Sequence, residues 1–258
     1  MDYETIRLDI DNGLALMTLN RPEKMNALNT QMRAEMAHAV RHADEVARVL
    51  AITGEGRAFC TGQDLGDRAS AGEVDLERTL RDEYEPVLRA ITGAGIPVIA
   101  AVNGPAAGAG ANLALAADVV IASQSAYFLQ AFSRIGLIPD AGGTYTMPRA
   151  MGLAKAMGAA LFAEKISADE ASAMGLIWES VPDDDFDSHW RARARQLAEG
   201  PTLSYKSIKR LMRASLGNSF DDQIALEARM QGQCGRSRDF REGVMAFLEK
   251  RAPKFEGR

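Results

Sequence analysis

Asp140 lies in the segment 134–144 (RIGLIPDAGGT), a single carboxylate set among apolar and small residues. Upstream are two loops built from small side chains, 58–65 (AFCTGQDL) after a Gly54-Glu55-Gly56 turn and 103–112 (NGPAAGAGAN) running into a helical pattern. Loops of this kind expose backbone N–H groups, and a helix N-terminus adds a positive dipole end, so an anionic oxygen can approach the amides closely. One carboxylate beside such a cradle can carry a proton between carbons next to a carbonyl whose oxygen takes up negative charge. The residues alone leave a plainer reading open. Glycine-rich strand-to-helix turns are common, and Asp140 equally suits the N-cap of a helix.

Other constellations point less sharply. Neither loop is a phosphate-binding P-loop, because no Gly-Lys-Ser/Thr follows, and Gly108-Ala109-Gly110 lacks the third glycine of a dinucleotide fingerprint. His38 and His42 stand one helical turn apart without a third ligand nearby, which favours a solvated face over a metal site, and His189 is alone in a charged helix. Glu83 and Glu85 either edge a pocket or lie on the surface. Lys206, Lys209, Arg210 and Arg213 form a basic stripe that faces phosphates, a neighbouring subunit or, by default, solvent.

The elements that must position these residues alternate between short apolar runs and helical periods. Residues 6–10 and 14–19 form a hairpin across Asp11-Asn12-Gly13. Helical spacing covers 30–46, 73–91 and 108–117, and strands are expected at 49–53, 96–102 and 119–122, an alternation that implies parallel strands joined by helical crossovers. Ser167-Ala168-Asp169-Glu170 matches a capping box, 177–181 gives a last strand, and helices follow at 202–214, 220–234 and 238–251. The expected organisation is a core over 1–200 and a helical lobe over 201–258.

With 258 residues, 47% hydrophobic and 25% charged, the chain can bury a sizeable core. A net charge of -5 gives no attraction to nucleic acid or to an anionic membrane. Cys60 and Cys234 read as free thiols of a reducing compartment. No signal-peptide succession opens the chain and no apolar run spans a bilayer, so a cytoplasmic location is expected.

Five segments together resemble the crotonase, or enoyl-CoA hydratase/isomerase, superfamily: 19–28 (LNRPEKMNAL), 59–65 (FCTGQDL), 106–115 (AAGAGANLAL), 136–144 (GLIPDAGGT) and 247–255 (FLEKRAPKF). Within it, 59–65, 136–143 and 235–243 (GRSRDFREG) are most similar to isomerases that convert ring-1,2-epoxyphenylacetyl-CoA to oxepin-CoA. The resemblance implies an α/β fold, a crotonase-like spiral of repeated ββα units, with a C-terminal α-helical lobe used in trimer contacts, as a homotrimer or dimer of trimers. It implies an acyl-CoA thioester as substrate, with coenzyme A part of that substrate and no separate cofactor or metal.

By position, the oxyanion-hole amides are those of Gln63 and Ala109; losing one such donor typically costs about 2.7–4 kcal/mol in the transition state. Because backbone amides do this work, the side chains at Gln63 and Ala109 are expected to matter mainly through shape. Coenzyme A contacts fall on Lys24, Ala27, Leu28, Asp64 and Leu65, although Asp64 also suits a helix N-cap. The two glutamates with which the hydratase subgroup splits water correspond to Asn112 and Phe132, neither of which exchanges protons near neutral pH. Asp140 is then the single proton shuttle, with Asn112, Phe128, Phe132 and Leu137 as the acyl pocket, whose apolar walls raise its pKa. Direct attack by Asp140 on carbon, as in similar aryl-CoA dehalogenases, is the minority route. Two other classes remain: a hydratase using a different acid, such as Asp64 or Glu83, and a non-catalytic acyl-CoA binder or assembly subunit in which Asp140 is dispensable. The loop 67–75 that shapes the acyl pocket carries no readable code.

Overall fold

Asn12 (φ 49°) and Gly13 (φ 81°) both take left-handed conformations, so β1 (Ile6–Asp11) folds back antiparallel onto β2 (Leu14–Leu19), pairing Ile6 with Leu19 and Asp11 with Leu14. The computed structural model describes residues 2–64, 66 and 75–257. A single 3-10 turn at Pro22–Lys24 leads to α1 (Thr30–Val46), whose N-cap Asn29 accepts from the Met32 N–H at 2.8 Å. The chain continues through β3 (Val49–Gly54) to a helical stretch made of α2 (Leu76–Thr79), a π-helical turn at Leu80–Tyr84 and α3 (Glu85–Gly93). Next come β4 (Val98–Val102), β5 (Ala106–Ala107), α4 (Ala109–Leu115), β6 (Val119–Ser123) and β7 (Tyr127–Leu129). After a 3-10 turn at Ala131–Ile135 follow α5 (Gly143–Met151), α6 (Leu153–Phe162), β8 (Lys165–Ser167), α7 (Ala168–Ala173) and β9 (Glu179–Val181). Four helices close the chain: α8 (Asp183–Ala198), α9 (Thr202–Ala214), α10 (Phe220–Cys234) and α11 (Arg238–Leu248).

Six strands form one sheet in the order β1-β2-β3-β4-β6-β9, parallel from β2 onward. Its central strands are apolar on both faces because both are covered. Leu50, Ile52, Val98 and Ala100 pack with Met32, Met36 and Val40 of α1, while Val49, Ala51, Ile99 and Ala101 pack with Phe186 and Trp190 of α8. A second sheet, β5-β7-β8, has no counterpart in the sequence reading. Its strands are two or three residues long, too short for periodicity to register.

The Ser167/Glu170 capping box is present in both directions. Several boundaries shift: the strand expected at 96–102 begins at Val98, the helix expected over 108–117 is Ala109–Leu115, the last strand holds only Glu179–Val181, the last helix stops at Leu248, and the helix expected over 73–91 is described from Leu76 and reaches Gly93. The basic stripe does not face solvent throughout. Lys209 of α9, 8% exposed, reaches Asp118 at 2.8 Å and the carbonyls of Ile91 and Ile96, and Arg213 meets the same Asp118. Among the described residues no helix is long and apolar enough to cross a membrane.

Candidate active site

The two small-residue loops meet through a bridge between Cys60 and Ala106, where the Ala107 N–H donates to the Cys60 carbonyl at 2.9 Å. Glycine is required at the contact. A Cβ on Gly62 (φ 91°) would lie 2.8 Å from the Ala107 carbonyl and 3.3 Å from the Ala109 nitrogen; one on Gly110 would lie 2.3 Å from the Cys60 carbonyl. With those side chains absent, Gln63 and Ala109 line one cavity, and neither backbone N–H donates to another group among the described residues. Ala109 is also the first residue of α4, where the helix dipole favours negative charge.

Asp140 borders the same cavity. Its backbone carbonyl accepts from the Asn112 side chain (2.8 Å) and from the Gly143 N–H (2.9 Å), and Gln130 donates to Asn112 Oδ1 at 2.8 Å. Ala141 (φ 48°) and Gly142 (φ 82°) then turn left-handed, so α5 starts only at Gly143 with Gly142 as its cap. Asp140 is therefore not the N-cap. Its Oδ1 is buried without a hydrogen-bond partner among the described residues, and burial pushes its pKa up to about 6.

The cavity measures about 990 Å³, and Leu80, Tyr84, Leu88, Phe132, Leu137 and Ile138 give it a mainly apolar wall. Glu77 and Glu85 also border it, but each is paired with an arginine, Arg81 and Arg89 respectively. Phe132 and Leu137 thus stand where an acyl pocket was expected, whereas two other expected residues do not. Phe128 points into the core from β7, and Asn112 is completely buried on α4, gripping Gln130 and the Asp140 backbone. Asn112 acts on the cavity through Asp140 and does not touch its space.

The residues expected to meet coenzyme A also divide. Lys24 is exposed on the early 3-10 turn, and Ala27 lies nearby, largely covered. Leu28 is core: its N–H donates to the Gly62 carbonyl (2.7 Å) and its own carbonyl accepts from the Asp64 N–H (3.0 Å) and from Arg33 (2.7 Å), leaving no polar backbone atom for a ligand. The Asp64 carboxylate takes Arg21 at 2.9 Å and the Gly66 N–H at 3.0 Å, and Asp75 caps α2. Leu65 and residues 67–74 of the expected pocket-shaping loop lie outside the described residues.

Three residues beside Gln63 escaped the sequence reading as a group. The Tyr84 hydroxyl donates to Gln63 Oε1 at 2.6 Å, Arg33 Nη1 donates to the same oxygen at 3.1 Å, and Glu83 is ion-paired to Arg33. Arg33 is 1% exposed. The only hint in the sequence is an arginine beside the apolar stripe of α1, next to Met32 and between positions that pack inward.

Residues 9–258 match the family Enoyl-CoA hydratase/isomerase. A probable enoyl-CoA hydratase of Rhodobacter capsulatus is 62% identical over 258 residues and aligns over the full length of both chains. A 1,2-epoxyphenylacetyl-CoA isomerase of Escherichia coli is 44% identical over 260 residues, covering 99% of each. The crystal structure of an enoyl-CoA hydratase from Polaromonas superimposes with a TM-score of 0.91 at 32% identity, covering 97% of this chain and 99% of that one. With the family model matching nearly the whole chain and full-length relatives at 62% and 44% identity, the chain is an enzyme of crotonase fold that belongs to the enoyl-CoA hydratase/isomerase family.

Proposed function

We propose that the protein is an acyl-CoA isomerase in which Asp140 is the only proton shuttle. The supporting observation is the Asp140 carboxylate, buried with one oxygen unpartnered in the cavity that Gln63 and Ala109 line. For a 3-enoyl-CoA the chemistry runs in two steps. The Asp140 carboxylate takes a proton from C2, and the electron pair moves onto the thioester oxygen, held by the Gln63 and Ala109 N–H groups. The enolate then collapses with a double bond between C2 and C3, while the Asp140 carboxylic acid returns its proton to C4. Ring-expanding isomerisation of 1,2-epoxyphenylacetyl-CoA to oxepin-CoA is the second reaction of this reading, supported by the 44% identical isomerase.

Hydration has its own support in the 62% identical probable hydratase. The acids it would need are engaged elsewhere: Asp64 with Arg21 and Gly66, Glu83 with Arg33 and Thr30. Asn112 and Phe132 supply none. Mass analysis after incubation with a 2-enoyl-CoA and with a 3-enoyl-CoA separates the two. The isomerase reading expects an isobaric product from the 3-enoyl-CoA and no product one water heavier from the 2-enoyl-CoA; rapid water addition would replace it with the hydratase.

The coenzyme A moiety is assigned to the surface formed by Lys24, Ala27 and the Arg21–Asp64 pair. A homotrimer or dimer of trimers is the expected assembly, supported by the apolar side chains that α10 and α11 leave exposed, Phe220, Phe240 and Phe247 among them.

A further inference from the structure

Gln63 is tied down more heavily than a residue contributing only a backbone amide needs to be. The peptide that carries its N–H is set on one side by the Gly62 carbonyl, which accepts from Leu28 N, and on the other by Asp64 N, which donates to Leu28 O. A single nitrogen of Arg33, Nη1, then bonds both Leu28 O (2.7 Å) and Gln63 Oε1 (3.1 Å). Tyr84 closes the set, its hydroxyl 2.6 Å from that same Oε1 and its ring 4.8 Å from the Arg33 guanidinium.

The helix behind these residues is irregular where it touches them. Consecutive residues of an α-helix point about 100° apart and do not share a partner. Glu83 and Tyr84 both reach Arg33, and both lie in the π-helical turn Leu80–Tyr84. Such turns insert a residue and re-aim the side chains around it.

We propose that Tyr84 and Arg33 are positioning residues for the oxyanion hole: by gripping the Gln63 side-chain oxygen they hold the Gln63 main-chain N–H on the cavity. The inference rests on the reading that the Gln63 and Ala109 amides receive a thioester oxygen. Tyr84 borders the cavity but does not exchange protons with substrate, since its own proton is committed to Gln63 and burial pushes the phenol up. On this proposal the Gln63 side chain counts through its hydrogen bonds, beyond the shape that was expected to be its main contribution.

Binding of cinnamoyl-CoA tests this, because the absorption of a conjugated thioester moves to the red when its carbonyl is polarised. The wild type is expected to shift the probe. Tyr84→Phe is expected to lose at least half of that shift, with the dissociation constant within about twofold and kcat lowered on the order of tenfold at nearly constant KM, a part of what losing a whole donor removes. Gln63→Met should reproduce the loss, and the double variant should lose no more than either alone, since both act through one oxygen. A full wild-type shift in Tyr84→Phe, or additive losses in the double variant, overturns the proposal alone. A wild type that binds the probe without any shift overturns the paired-amide reading beneath it.

Discussion

Asp64, which follows Gln63 in the chain, and Asp140, which borders the cavity that Gln63 and Ala109 line, are handled in opposite ways. Asp64 is satisfied: Arg21 neutralises it, the Gly66 N–H bonds its second oxygen, and the result is a brace between the loops 21–28 and 60–66. Asp140 is held only by its backbone, through Asn112 and Gly143, while its carboxylate is left buried and half unpartnered. A carboxylate with its lone pairs occupied stabilises structure; one deprived of partners and water keeps its basicity for a ligand. The proposed function follows this contrast, with architecture for the first and chemistry for the second.

The largest expected effect breaks or keeps that contrast directly. Asp140→Asn should lower kcat by about 10²–10⁴, the usual contribution of a positioned acid or base. Asp64→Asn, which retains an acceptor for Gly66 and loses the charge, should leave kcat within a few-fold; steady-state kinetics of both variants would erase the distinction if the two losses were equal. Next in size is Gly62→Ala, whose Cβ would sit 2.8 Å from the Ala107 carbonyl at a φ that L-residues avoid. Pushing the loops apart should cost on the order of 10²–10³ in kcat, the worth of one oxyanion donor, while Gly136→Ala, with open space around it, serves as the control for a positive-φ glycine away from that contact.

The pH profile is a smaller and more specific test. The shuttle must start as carboxylate, so with a pKa near about 6 the kcat/KM should be flat above pH 7 and fall with unit slope as pH drops below about 6. Stability carries the smallest signal, with its sign fixed by linkage. Folded Asp140 holds its proton up to about 6, whereas an unfolded aspartate releases it near about 3.9, so its ionisation removes stability as pH rises through that window. Asp140→Asn should therefore raise Tm at pH 8 by about 2–4 °C for each ~1 kcal/mol relieved, with the gain shrinking toward pH 4. Asp64→Asn should lower Tm instead, and scanning calorimetry at both pH values reads the difference.

What could be read from the sequence is what local chemistry decides. Asn12-Gly13 specifies its turn, Ser167 and Glu170 specify their box, and the apolar runs of β3 and β4 announce strands covered on both sides. The small-residue loops holding Gly62 and Gly110 were legible as amide-exposing turns, whereas the close approach of their two backbones was not. Side-chain direction was less accessible. Phe128 and Asn112 share the cavity's sequence neighbourhood, yet β7 pairing turns the first into the core and α4 turns the second onto Gln130. Arg33 and Tyr84 lie 30 and 21 residues from Gln63, and no local pattern reports a hydrogen bond across that separation. Asp140 was ambiguous for a definite reason: the left-handed pair Ala141-Gly142 moves the helix start past it, and such a turn is not encoded by the aspartate itself.

The most direct test of Asp140 as sole proton shuttle is turnover of a 3-enoyl-CoA in heavy water by the wild type and by Asp140→Asn, followed by mass. The account predicts an isobaric double-bond shift with solvent deuterium appearing in the wild-type substrate and product, both lost in the variant. Isomerisation and deuterium exchange that survive in Asp140→Asn at the wild-type rate would contradict it.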